Sequence, residues 1–319
     1  MELITPVHIA KQQTLSYTSV VMMLGSCFAQ NMGEVMRNVK MNVCVNPFGI
    51  SYNPLSIASN INRVLDHREY SETEIIEYDN CWFSFDYHGM FSSSDKVDAL
   101  TKINEAYRQA EVSLDNATHF IVTFGSSYVY EYEGRVVNNC HKMSNKLFVE
   151  RQLTIDEIVQ VWQPLLQRLY MLNPKLEVIF TVSPVRYLGR GVHASQINKA
   201  TLHIAIEQLK RHYPQISYFP AYEIMLDELR DYRFYADDMI HPSALAIKII
   251  WQRFCDTYLT NDGQQTMADV EKVVKALCHR PLHPDSEQYR KFVAATEREV
   301  NRIQTKYPHI SFNSMTKEV

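Results

Sequence analysis

The sequence predicts an α/β protein, a three-layer α/β/α sandwich on a central, mostly parallel sheet with helices appended at its C-terminal end. Short apolar runs alternate with longer stretches of helical period. The runs end on turn-forming residues, and the last sixty residues are polar and helical without a strand candidate. Taken in order, residues 19–24 form a buried strand that stops at Gly25, and residues 28–38 follow as a helix. Residues 41–45 make a second strand, closed by Asn46-Pro47-Phe48-Gly49-Ile50. The next helix begins near Pro54 and puts Leu55, Ile57, Ala58, Ile61 and Leu65 on one face. Residues 78–94, aromatic and punctuated by turns, read as an irregular or hairpin insertion. A helix over 95–114 leads into a third strand at 119–124, which ends at Gly125. A hairpin over 128–137 turns near Glu133-Gly134. Residues 155–172 form an amphipathic helix with Pro164 placed to kink it. A fourth strand at 176–182 ends at Ser183-Pro184, a helix covers 196–212, and a fifth strand covers 216–219. Ser243 caps a last helix over 244–258.

Composition narrows the function classes. The 319 residues are 46% hydrophobic and 21% charged, an ordinary globular balance. A net charge of −4 gives no basic footprint for nucleic acid. No stretch approaches the ~20 apolar residues of a membrane span. The beginning of the chain lacks the cationic and apolar segments of a signal peptide, and six scattered cysteines without a C-x-x-C pair argue against a disulfide scaffold or zinc ribbon. A cytoplasmic location is the expectation. No H-E-x-x-H, Cys/His quartet, G-x-G-x-x-G or Walker A pattern is present, so neither a metal nor a nucleotide cofactor is expected.

Ligands of open α/β sheets bind beyond the carboxyl ends of the strands. Ser26 sits there, directly after the first strand and at the start of a helix, where free N–H groups and the positive end of the helix dipole surround it. The same position favours Ser as a simple helix cap. Cys27 is a second nucleophile candidate, since thiolates are also favoured at helix N-termini, but adjacent helical residues point about 100° apart and only one of the two faces the crevice. A hydroxyl needs a base. Asp238-x-x-His241, before the last helix, offers an imidazole and a carboxylate to orient it, at the same end of such a sheet.

The motifs around these residues are Gly25-Ser26-Cys27-Phe28-Ala29, the run from Asn46 to Pro54, the run from Thr123 to Tyr130, Asn139-Cys140-His141-Lys142, Ser183-Pro184-Val185-Arg186 and the run from Tyr235 to Ser243. Jointly, from about residue 15 to 254, they resemble the GSCFA family, which is similar to the SGNH (GDSL-like) hydrolase superfamily. The resemblance implies a flavodoxin-like hydrolase fold; the hydrolase domain is expected over 1–260, the polar helical remainder over 261–319 is expected as an extension packed on it, and no cofactor is expected. It makes Ser26 the nucleophile, His241 the base and Asp238 its orienter. In SGNH enzymes the oxyanion hole combines the nucleophile's N–H, a Gly N–H and an Asn side chain. The first two map to Ser26 and Gly49. The G-x-N block reads Gly125-Ser126-Ser127, without its Asn, so Asn139 or Ser127 is left as the third donor. Gly125, Ser127, His141 and Arg186 are further substrate-binding candidates, Arg186 because a guanidinium beyond strand four suits a carboxylate or phosphate. The implied function is serine ester hydrolysis on a carbohydrate or small acyl ester, with O-deacetylation as its simplest form. The rival is a non-catalytic binder of a glycan or acylated ligand on the same scaffold.

Overall fold

The computed structural model describes residues 5–312. In chain order the elements are β1 (Val20–Gly25), α1 (Cys27–Asn38), β2 (Asn42–Val45), α2 (Pro54–Leu65), β3 (Ile76–Tyr78), β4 (Cys81–Phe83) and α3 (Lys96–Asp115). They continue with β5 (His119–Phe124), β6 (Tyr128–Tyr132), β7 (Arg135–Val137), β8 (Val149–Gln152), α4 (Ile155–Leu172), β9 (Glu177–Val182), α5 (Val192–His212) and β10 (Ser217–Phe219). One turn of helix, α6 (Ala221–Glu223), runs on into a π-helical turn, Ile224–Glu228. Helices α7 (Ala244–Tyr258), α8 (Asn261–Leu277) and α9 (Glu287–Lys306) complete the chain.

The predicted runs assemble into one parallel sheet in the order β10-β9-β5-β1-β2. Renumbered within the sheet, this is 2-1-3-4-5, the flavodoxin-like doubly wound order, in which ligands sit where the strand order reverses. Central strands here are apolar on both faces, as parallel strands covered by helices must be. Met22 and Leu24 of β1 join Phe120, Val122 and Phe124 of β5 and Val178, Phe180 and Val182 of β9 in one core, against α2, α3, α4 and α5. The alternate residues Val21, Met23, Ile121 and Ile179 face the other core, against α1 and α7. That second core also takes in Val270 and Val273 of α8 and Ile303 of α9, so the C-terminal helices share its packing.

Helix starts follow their capping chemistry. Asn53 caps α2 ahead of Pro54, Asp95 caps α3, Ser243 caps α7, and Thr154 with Glu157 forms a capping box on α4. Helix α4 passes through Pro164 without a break. Helix α5 begins four residues before its expected start, at Val192, because its N-cap is Gly191, which offers no side-chain signal. The two insertions are hairpins: β3–β4 turns at Asp79-Asn80 and β6–β7 at Glu133-Gly134, all four with positive φ, and β8 pairs with β6 as a third strand. Phe83, Phe85, Val137, Met143 and Phe148 knit the two insertions into a small core of their own.

Register fixes which residues leave the sheet together. Gly25 lies opposite Thr123 and Thr123 opposite Thr181, so the loops after β1, β5 and β9 emerge at one edge. At Gly25 the backbone has φ +144°, and an added Cβ would stand 2.4 Å from the Thr123 carbonyl oxygen. Substituting Gly25→Ala combines backbone strain with a clash against an immobile strand, an expected loss of about 3 kcal/mol read by urea denaturation; a change below about 0.5 kcal/mol contradicts this close approach.

Candidate active site

The loops at this edge enclose a cavity of about 440 Å³. Its floor includes Ser26, Gly125 and Ser183, one side carries His241, and Tyr128 and Tyr130 of the inserted hairpin face in from above. Ser26 is buried and caps α1, its Oγ accepting from the Phe28 N–H at 3.3 Å. A cap uses the hydroxyl only as an acceptor, so its proton remains available. The Ser26 N–H has no acceptor among the described residues, and no acid lies in the first turn of α1 to oppose negative charge there.

Asn46 braces the turn that presents Ser26. Its Oδ1 accepts from the Gly25 N–H at 2.9 Å, its own N–H donates to the Met23 carbonyl, and its Nδ2 donates to Gln30. Tyr52 does the equivalent for the third-strand loop, its carbonyl accepting from the N–H groups of both Gly125 and Ser126.

His241 reaches the cavity from the loop before α7. Asp238 Oδ1 accepts from the N–H groups of Ile240 and His241, each at 2.9 Å, and Oδ2 pairs with His241 Nδ1 at 2.6 Å. Those backbone donors, with the imidazole, hold the Asp238 carboxyl down at about 2. An exposed ion pair contributes little to stability, yet this one fixes the ring orientation: with Nδ1–H on the carboxylate, Nε2 is the free, basic nitrogen. Ser26 Oγ and His241 line the same cavity without a direct hydrogen bond between them.

The other predicted residues divide. Gly125, Asn139 and Arg186 line the cavity with Ser26 and His241. Asn139 Oδ1 accepts from the His141 N–H at 2.8 Å, which leaves Nδ2 as the outward donor. Gly49 does not line it: its N–H closes a turn on the Asn46 carbonyl at 2.8 Å, and its surroundings belong to a separate groove beside α3. Ser127 is fully buried and points away, donating through N–H and Oγ to Asn198 of α5. His141 is also outside the cavity. It stacks on Phe83 with ring centroids 4.0 Å apart, Nε2 donates to the Ser84 carbonyl, and burial lowers its pKa to about 4, all within the insertion core. Cys27 lines the cavity, but burial outweighs the helix N-terminus and pushes its thiol up, away from the reactive thiolate. Among the described residues no group of three or more His, Cys, Asp or Glu is placed to hold a metal ion, and no helix is long and apolar enough to cross a membrane.

A family model described as the GSCFA family matches residues 20–254, and one described as the GSCFA domain protein, C-terminal domain, matches residues 270–319. The chain belongs to the GSCFA family. No curated protein matches it. Solved structures similar to this GSCFA chain include a carbohydrate esterase family 3 protein from Talaromyces cellulolyticus, at 9% identity and TM-score 0.36, covering 79% of this chain and 99% of that one. A family 3 carbohydrate esterase from Clostridium thermocellum has 10% identity and TM-score 0.35, covering 82% and 99%. An acetyl xylan esterase from Butyrivibrio proteoclasticus has 13% identity and TM-score 0.33, covering 79% and 64%.

Sequence reasoning missed a residue that braces the floor of this cavity in the GSCFA chain. Lys199 of α5 is 1% exposed, and its Nζ donates to the carbonyls of Gly125 at 2.7 Å and Ser183 at 2.8 Å, tying together the loops that follow β5 and β9. Burial pulls its ammonium down to about 7. A neutral amine still has two N–H bonds, so the tie survives deprotonation. The only sequence signal is weak: a lysine beside Asn198, among otherwise buried positions of a helix. Replacing Lys199→Met leaves two buried carbonyls without donors, an expected cost of about 3 kcal/mol in urea. The unfolded chain keeps its lysine protonated to about 10.4 while the folded one releases the proton near 7. The unfolded state therefore binds more protons between those values, and wild-type stability should rise from pH 7 to 9 relative to the variant. Parallel stability curves for the two proteins over that range contradict the reading.

Proposed function

We propose that this GSCFA protein is a serine ester hydrolase acting on a carbohydrate or other small acyl ester. What carries the reading is that Ser26 and His241, over two hundred residues apart in sequence, line one cavity, with the imidazole held by Asp238 at 2.6 Å. In the proposed cycle His241 Nε2 takes the Ser26 Oγ proton as the oxygen attacks the ester carbonyl. The resulting oxyanion takes hydrogen bonds from the Ser26 N–H at the positive end of α1 and from Asn139 Nδ2. His241 returns the proton to the leaving alcohol, and water, deprotonated by the same ring, cleaves the acyl-enzyme. Family membership and the flavodoxin-like topology support the reading.

One observation favours the rival, a non-catalytic binder of a glycan or acylated ligand. In the loop after β5 both hydroxyls, of Ser126 and Ser127, donate to Asn198 Oδ1, so neither is a donor aimed at an oxyanion. Losing one such donor costs about 10²–10³ in kcat. Fluorophosphonate labelling and p-nitrophenyl acetate turnover separate the two: labelling is expected in wild type and Cys27→Ala and absent in Ser26→Ala. A wild type that neither labels nor turns over supports the binder, and labelling lost only in Cys27→Ala moves the nucleophile to the thiol. Asp238→Asn is expected to lower kcat by about 10³–10⁴ by releasing the tautomer. Since Asp238 stays ionised down to about pH 2, any acid limb of the wild-type rate above pH 4 does not come from this carboxylate.

A further inference from the structure

Among the described residues no Asp or Glu lines the cavity, and Arg186 is the only Lys or Arg that does; the ionised Asp238 stands behind His241 rather than in the cavity lining. Arg190, four residues on from Arg186, pairs with Glu150, and Arg233, ahead of the His241 loop, pairs with Asp231. No carboxylate among the described residues lies within 4 Å of Arg186. Its guanidinium lies over the Tyr235 ring, 5.8 Å from the centroid, and its backbone N–H donates to the Ile240 carbonyl, one residue before His241. The group is thus placed on the wall next to the base and left without a counter-ion. Its field adds to that of the acid-free N-terminus of α1. A guanidinium presents paired donors whose fork matches carboxylate and phosphate oxygens.

We propose that Arg186 binds an anionic group on the substrate, so that the preferred substrates are acyl esters of molecules that themselves carry a carboxylate or a phosphate. The inference rests on the ester-hydrolase reading of the same cavity. In that reading the ester carbonyl sits over Ser26 and the charged end of the alcohol portion reaches Arg186, while Tyr128 and Tyr130 contact the part between. Anchoring a remote charge in this way spends binding energy on orienting the reacting ester.

The test compares 4-acetoxybenzoate, 4-acetoxyphenyl phosphate and the neutral 4-acetoxybenzamide on wild type, Arg186→Gln and Arg186→Lys. In wild type kcat/KM is expected to be at least tenfold higher for one or both anionic esters than for the amide, mainly through KM. Which anion is favoured distinguishes carboxylate from phosphate. The anionic-to-neutral ratio is expected to fall at least tenfold in Arg186→Gln and to recover in part in Arg186→Lys. A wild type without preference, or an Arg186→Gln variant that loses both classes alike, overturns the proposal; the second result makes Arg186 a positioning residue for the His241 loop. Binding separates this from failure of the hydrolase reading. If no ester is cleaved, benzoate or phenyl phosphate should still raise the melting temperature of wild type, benzamide should not, and Arg186→Gln should abolish the shift. Absence of that shift in wild type overturns the anion site itself.

Discussion

Backbone approaches backbone at the carboxyl ends of β1 and β5 more closely than any side chain permits, and the shape of the cavity follows from that contact. Gly25 lies against the Thr123 carbonyl, and an added Cβ on Gly125 would stand 3.0 Å from the Tyr52 carbonyl and 3.2 Å from the Ser26 Cβ. Ser26 is therefore delivered onto the floor by a strand that can come no closer to its neighbour. Lys199 then sets the spacing on the far side by bridging Gly125 and Ser183. The floor is held by backbone groups with buried partners, which suits a site whose reacting atoms must be positioned to a fraction of an ångström.

Most of the fold was legible because its signals are local. The sheet strands are short apolar runs ended by Gly, Pro or Asn, and the helices between them begin on residues with oxygen-bearing side chains. The misreadings have equally local causes. Helix α5 starts on a glycine, which carries no capping signal. The third strand of the insertion, β8, has the sequence Val149-Glu150-Arg151-Gln152, too polar to stand out, and is held by its ladder to β6 instead.

The site was legible where position along the chain alone determines it. Ser26 follows a strand, and Asp238 and His241 are three residues apart on one loop, so contact between those two needs no tertiary information. Gly49, Ser127 and His141 depended on how loops fold back. Gly49 spends its N–H inside its own turn, Ser127 rotates toward α5, and His141 finds an aromatic face to stack on. Lys199 was invisible for the opposite reason: helical period marks it only as inward-facing, and its carbonyl acceptors come from loops 74 and 16 residues away.

The ceiling over Ser26 comes from the β6–β7 hairpin, whose companion insertion shares with it a miniature interior of five aromatic and aliphatic side chains, separate from the two that flank the sheet. Architecture of this kind divides labour. Tyr128 and Tyr130 can vary in size and polarity while Val129 between them stays in the larger core and ties the hairpin to the scaffold beneath, so selectivity and fold integrity rest on alternate residues of one strand. Relatives sharing this floor could accept quite different molecules by exchanging the canopy alone.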